Sequence, residues 1–178
     1  MSSPCVPLYD SLGENAIEFI INHAEASVAF VATEKLPNLV KALPKTKEVL
    51  KTVVYWGEGN KAAIEVGTRD FCLFHSPMTS LLAFQSAKGL GYSVYSFEEL
   101  KSLGASSPAE SVPPKSEELC TIMYTSGTTG DPKGVMLTHK AVLAGVANIV
   151  FYCKINNINF NETDSMISYL PLAHIFDR

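Results

Sequence analysis

Apolar positions along this chain recur with two alternating periods. In "SLGENAIEFIINHAEA" the residues Ile17, Ile20, Ile21 and Ala24 fall three or four apart, so one face of a helix is apolar and the other polar. "SVAFVA" then reads as a short buried strand. "KLPNLVKALPK" returns to the helical period, with Leu36, Leu39, Val40 and Leu43 in register and Pro44 near its stop. "KTVVYW" predicts the next strand. Further along, "KGLGYSVYSF" is a glycine turn leading into a strand, and Ser96 with Glu99 forms a capping box for a helix expected to end before Gly104. After the Ser/Pro-rich connector "ASSPAESVPPKS", "ELCTIMY" predicts a buried strand and "GVMLTH" another short one. Thr138 is placed to cap the helix "HKAVLAGVANIVFY", which is apolar on most sides; "KINNINFNETD" reads as a polar loop and "SMISYLPLAHIFDR" as a strand broken by Pro171. Helix and strand alternate with short joints, the pattern of an α/β domain with a mostly parallel sheet and flanking helices.

The middle interrupts this alternation. "GNKAAIEV" begins as a helix, but residues 67 to 87, "GTRDFCLFHSPMTSLLAFQSA", keep no period. Without them "NKAAIEV" would run directly into "KGLGYSVYSF", helix into strand. The segment is therefore expected to be an insertion forming an exposed excursion, longer than most loops in compact domains.

With 47% hydrophobic and 18% charged residues in 178, the chain can bury a sizeable core and is not of disordered composition. A net charge of −4 argues against nucleic acid or an anionic membrane surface as main partner. The four cysteines, Cys5, Cys72, Cys120 and Cys153, are far apart and form no C-x-x-C pair, so a disulfide framework or zinc site is not expected and a reducing compartment is. The N-terminus lacks the basic region of a signal peptide or presequence, and "AVLAGVANIVFYC" is too short to span a bilayer.

One stretch concentrates chemistry. "YTSGTTGDPKG", residues 124 to 134, follows a predicted buried strand and sets glycines among hydroxyls and one ammonium. Glycines let a backbone approach phosphate oxygens, so that successive N–H groups can point into one concavity. Thr125, Ser126, Thr128 and Thr129 add hydroxyl donors, Gly127 and Gly130 add backbone freedom, and Lys133 adds a mobile positive charge. The alternative is a flexible surface turn. A Walker A loop is excluded: Pro132 stands where that pattern has its second glycine, and a strand rather than a helix follows. His174 in "LPLAHIF" is the second candidate, although a histidine among apolar residues is commonly a core residue bonded to backbone. His139 beside the cap reads as structural, and His23 and His75 carry no motif.

The eleven-residue loop resembles the signature loop of the adenylate-forming enzymes, a superfamily that includes acyl-CoA synthetases, luciferases and peptide-synthetase adenylation domains. Together with "VPLYDSLGENAIEFIINHAEA" and "ISYLPLAHIFDR" it is similar to the long-chain acyl-CoA synthetases of eukaryotes, the plant type among them. The resemblance covers nearly the whole chain apart from residues 67 to 87, and only a minor part of the family's full length. It implies that residues 1 to 178 are part of the large N-terminal domain of a ligase. In that ligase a long-chain fatty acid reacts with ATP, Mg²⁺ and CoA by way of an acyl-adenylate. On that resemblance Thr125, Ser126, Gly127, Thr128, Thr129, Gly130 and Lys133 hold the ATP phosphates, His174 positions substrate, and the family's adenylation lysine is not among them. The family's aromatic-Gly-x-Thr-Glu motif, ribose aspartate, hinge and C-terminal lysine domain have no match in this sequence, so the chain alone is expected to be inactive. The implied location is the cytoplasmic face, whether cytosol, endoplasmic reticulum surface or peroxisome. Alternatives are another acyl- or aryl-CoA ligase of the superfamily, or a non-catalytic fragment that binds nucleotide or a partner.

Overall fold

Three parallel strands, β1 (Val28–Ala32), β2 (Thr52–Trp56) and β3 (Ser93–Ser96), lie side by side in chain order, with Val28 opposite Thr52 and Thr52 opposite Ser93. The computed structural model describes residues 3–8, 13–57, 85–125, 131–165, 167, 174 and 175. These strands belong to one of two compact units, residues 13 to 109; the other comprises residues 1 to 12 and 110 to 178.

In the first unit, helix α1 (Gly13–His23) buries Ala16, Ile20 and Ile21 along the face that its periodicity predicts. Helix α2 (Leu36–Ala42) has a 3-10 turn at each end and buries Leu36, Leu39 and Leu43, the last within the second turn, Leu43–Lys45. Pro37 and Pro44 sit where each segment's first N–H groups have no helical partner, so neither disrupts a bond. Of these, Ile21, Leu36, Leu39 and Leu43 meet Leu50, Val53, Ala87, Tyr92 and Val94 in one cluster. The Tyr92 hydroxyl lies in that cluster and donates to the Leu43 carbonyl, which also accepts from Thr46 Oγ1 at 3.2 Å, so the buried polar atoms are paired.

Strand β1 exists as predicted but is not fully buried. It is at the edge of the sheet, and its outward positions Val28 and Phe30 are 46% and 55% exposed. The capping box is complete: Ser96 Oγ accepts from the Glu99 N–H at 3.2 Å and Glu99 Oε2 accepts from the Ser96 N–H at 2.6 Å. Its helix, α3 (Phe97–Ser106), runs through Gly104 instead of stopping before it. Helical hydrogen bonding to the following residues outweighs a cost of about 1 kcal/mol for one glycine.

Of the expected insertion, residues 67 to 84 lie outside the described residues, as does all of "GNKAAIEV". Residues 85 to 89 are helical, and Ala87 is fully buried in the cluster. The last residues of the expected excursion, 85 to 87, thus reach the core, where the small apolar side chain of Ala87 packs in the cluster that holds Tyr92.

The second unit is built on a hairpin. Strand β4 (Leu119–Thr125) pairs antiparallel with β5 (Lys133–Thr138), from Leu119 opposite Thr138 to Thr125 opposite Lys133. Along its other edge β4 is bridged in parallel by Cys5, whose N–H donates to the Cys120 carbonyl and whose carbonyl accepts from the Ile122 N–H, both at 3.0 Å. Thr138 caps the helix α4 (His139–Ile155) by accepting from the Ala141 N–H at 3.2 Å. No residue of α4 is buried; Leu143, Ile149, Val150 and Phe151 are each more than half exposed. Among the described residues no helix is long and apolar enough to cross a membrane.

Candidate functional site

The glycine-rich stretch is the connection of the β4–β5 hairpin. Strand β4 delivers the chain to Thr125, and β5 receives it at Lys133, directly opposite. Residues 126 to 130, which include the candidates Ser126, Gly127, Thr128, Thr129 and Gly130, lie outside the described residues. The two remaining candidates of the loop are brought together at its neck, where Thr125 Oγ1 donates to the Lys133 carbonyl at 3.5 Å. Both side chains are exposed. Among the described residues no carboxylate is paired with the Lys133 ammonium.

Below this neck the hairpin is packed. Thr121, Met123 and Tyr124 are buried, and Thr121 Oγ1 donates to the Cys5 carbonyl at 2.7 Å. Tyr124 is 3% exposed, and burial pushes its hydroxyl above the ordinary tyrosine value of 10.0. Opposite Tyr124 stands Gly134. A Cβ there would lie 2.9 Å from Ile122 Cγ2 and 3.1 Å from Tyr124 Cζ, so glycine is needed for space. Sequence reasoning passed over Tyr124, Ile122 and Gly134 as site residues. An aromatic before the loop and a glycine after its lysine were the available signal, readable only once the strands are known to pair.

His174 is half-buried in a bend and is followed by exposed Ile175; the flanking residues 168 to 173 and 176 to 178 lie outside the described residues. The backbone N–H of His139 donates to the Glu118 carbonyl at 3.1 Å. A shallow cavity of about 630 Å³ on α1, lined by Asn15, Glu18, Phe19, Asn22, His23 and Lys45, shares no residue with the loop. Three of its polar side chains are already engaged: Lys45 pairs with Glu18 at 2.9 Å and Asn22 Nδ2 donates to the Lys45 carbonyl. Among the described residues no group of three or more His, Cys, Asp or Glu side chains gathers to hold a metal ion.

A model of the AMP-binding enzyme family matches residues 1–178. The chain belongs to the AMP-binding enzymes. Over 174 residues it is 41% identical to long chain acyl-CoA synthetase 5 of Arabidopsis thaliana and 39% identical to long chain acyl-CoA synthetase 4 of the same plant. Each match takes in 98% of this chain and 23% of the relative, so the chain spans about a quarter of the length of these relatives. Among solved structures, the A domain of carboxylic acid reductase from Segniliparus rugosus superposes with a TM-score of 0.64 at 20% identity. That match covers 97% of this chain and 26% of the reductase domain chain, and it shows a shared α/β fold. In this AMP-binding chain the parallel sheet and the glycine-rich hairpin are thus parts of an adenylation-domain fold.

Proposed function

We propose that the chain forms part of the N-terminal domain of a long-chain fatty acid–CoA ligase and that its hairpin connection holds the β- and γ-phosphates of ATP. One observation carries the reading: the eleven-residue loop joins two paired strands that set across its neck a hydroxyl and an ammonium paired with no carboxylate among the described residues. Similarity to plant long chain acyl-CoA synthetases supports the acyl-CoA branch over aryl-CoA ligases.

In this reaction a fatty-acid carboxylate attacks the α-phosphorus of ATP, pyrophosphate leaves, and the CoA thiol displaces AMP from the acyl-adenylate. The first step brings two anions together and loads charge onto the departing pyrophosphate. Donors fixed around the β- and γ-phosphates lower that barrier because they are already oriented when the charge develops. Ser126, Thr128 and Thr129 supply hydroxyls, Gly127 and Gly130 supply close-approaching N–H groups, Thr125 closes the neck, and Lys133 supplies positive charge. His174 positions the substrate at the acyl side. Magnesium would neutralise charge on the nucleotide phosphates; among the described residues no group of three or more His, Cys, Asp or Glu side chains gathers to hold it. The same reading places the protein in a reducing compartment on the cytoplasmic side, in cytosol, at the endoplasmic reticulum surface or in the peroxisome, in keeping with cysteines that form no C-x-x-C pair in the sequence.

The test is a chimera in which this chain replaces the matching segment of Arabidopsis thaliana long chain acyl-CoA synthetase 5. Palmitoyl-CoA formation from ATP, palmitate and CoA is expected. A folded chimera that ligates only aryl acids, or nothing, would overturn the reading.

A further inference from the structure

The packed neck of the hairpin assigns roles to residues that the loop motif alone does not explain. Strand β4 is held along one edge by the Cys5 bridge, with hydrogen bonds of 3.0, 3.0 and 2.7 Å, so β5 is the strand whose register remains to be set. Side chains alternate along β5, and a slip of one residue would turn the Lys133 side chain to the other face of the hairpin. What prevents the slip lies opposite Tyr124. The space between its ring and Ile122 Cγ2 is too tight for any Cβ, and the neighbours of Gly134 in β5 are Lys133 and Val135. Only the observed register puts the glycine there.

Resting on the phosphate reading above, we infer that Tyr124 and Gly134 are positioning residues: their contact locks the hairpin register and fixes the face from which Lys133 meets a polyphosphate. Tyr124 acts through its ring, so the hydroxyl is dispensable for this role. Gly134 acts through the absence of a side chain. Neither residue is required to touch the anion.

The experiment titrates the 178-residue chain with inorganic tripolyphosphate by calorimetry. Tyr124→Phe is expected to bind within about twofold of the native chain, whereas Gly134→Ala loses about tenfold, since a displaced ammonium forfeits a charge-assisted contact. In a Lys133→Met background, adding Gly134→Ala should change affinity by less than about twofold, because the positioned group is already gone. A merely structural role would instead make the two losses multiply, and that result overturns the inference. So does a Gly134→Ala chain that binds as tightly as the native one. If Gly134→Ala does not fold by circular dichroism, Tyr124→Leu carries the same cycle with the same expected losses. A native chain that binds no tripolyphosphate defeats the phosphate reading itself, and the positioning role with it.

Discussion

Removing the Lys133 ammonium is the most direct challenge to the phosphate assignment. Lys133 opens β5 opposite Thr125, is exposed, and is paired with no carboxylate among the described residues. Its attraction to a bound phosphate is therefore not already spent on a carboxylate of the described residues. A hydrogen bond from a charged donor contributes about 1.5–3 kcal/mol, which corresponds to roughly ten- to hundredfold in affinity. Solvent screening at an exposed lysine favours the lower end. In the chimeric synthetase, Lys133→Ala should thus raise the KM for ATP by about tenfold while the KM for palmitate stays within about twofold, because the charge faces phosphate and not the acyl chain. Lys133→Arg should recover part of the loss, since charge returns with altered geometry. Initial rates with ATP and palmitate varied in turn separate the two constants. Unchanged ATP dependence together with lost palmitate affinity would refute the reasoning.

The capping box gives a pH-dependent expectation. Hydrogen bonds from the Ser96 backbone and side chain hold the Glu99 carboxyl below its ordinary 4.5, so its contribution is complete above pH 4.5 and fades as pH falls through the lower folded-state value. Glu99→Gln should flatten that acid limb in urea titrations followed by the single tryptophan, Trp56, of the same unit. Deleting residues 67 to 84 should preserve cooperative unfolding by that signal. Extending the deletion through Ala87 should abolish it, because the second cut removes a core residue. The 178-residue chain supplied with ATP, Mg²⁺, palmitate and CoA should release pyrophosphate only at background. On the proposed assignment it would supply phosphate donors and one substrate-positioning histidine over about a quarter of the length of its relatives, and catalysis that aligns two anions falls steeply with small losses of alignment. Palmitate-dependent release above a Lys133→Ala control would contradict this.

Local chemistry made much of the molecule readable before any coordinates. The three- and four-residue spacing of Ile17, Ile20 and Ile21, the Ser96–Glu99 box and the Thr138 cap each depend on residues within one or two turns of chain, so the sequence by itself determined α1, α3 and α4. The loop motif is equally local, and it determined where phosphate chemistry is to be sought. Contacts between distant segments were decided only by the tertiary structure. Pairing of β4 with β5 puts Gly134 beneath Tyr124, Cys5 reaches across to Thr121, and Ala87 joins a core begun at Ile21, far back along the chain. The exposure of Phe30 follows from the edge position of β1, which no window on "SVAFVA" contains. A period of two or of 3.6 reports which face of an element is apolar. What that face meets, and in which register, depends on steric fit between strands far apart in sequence, as at Tyr124 and Gly134.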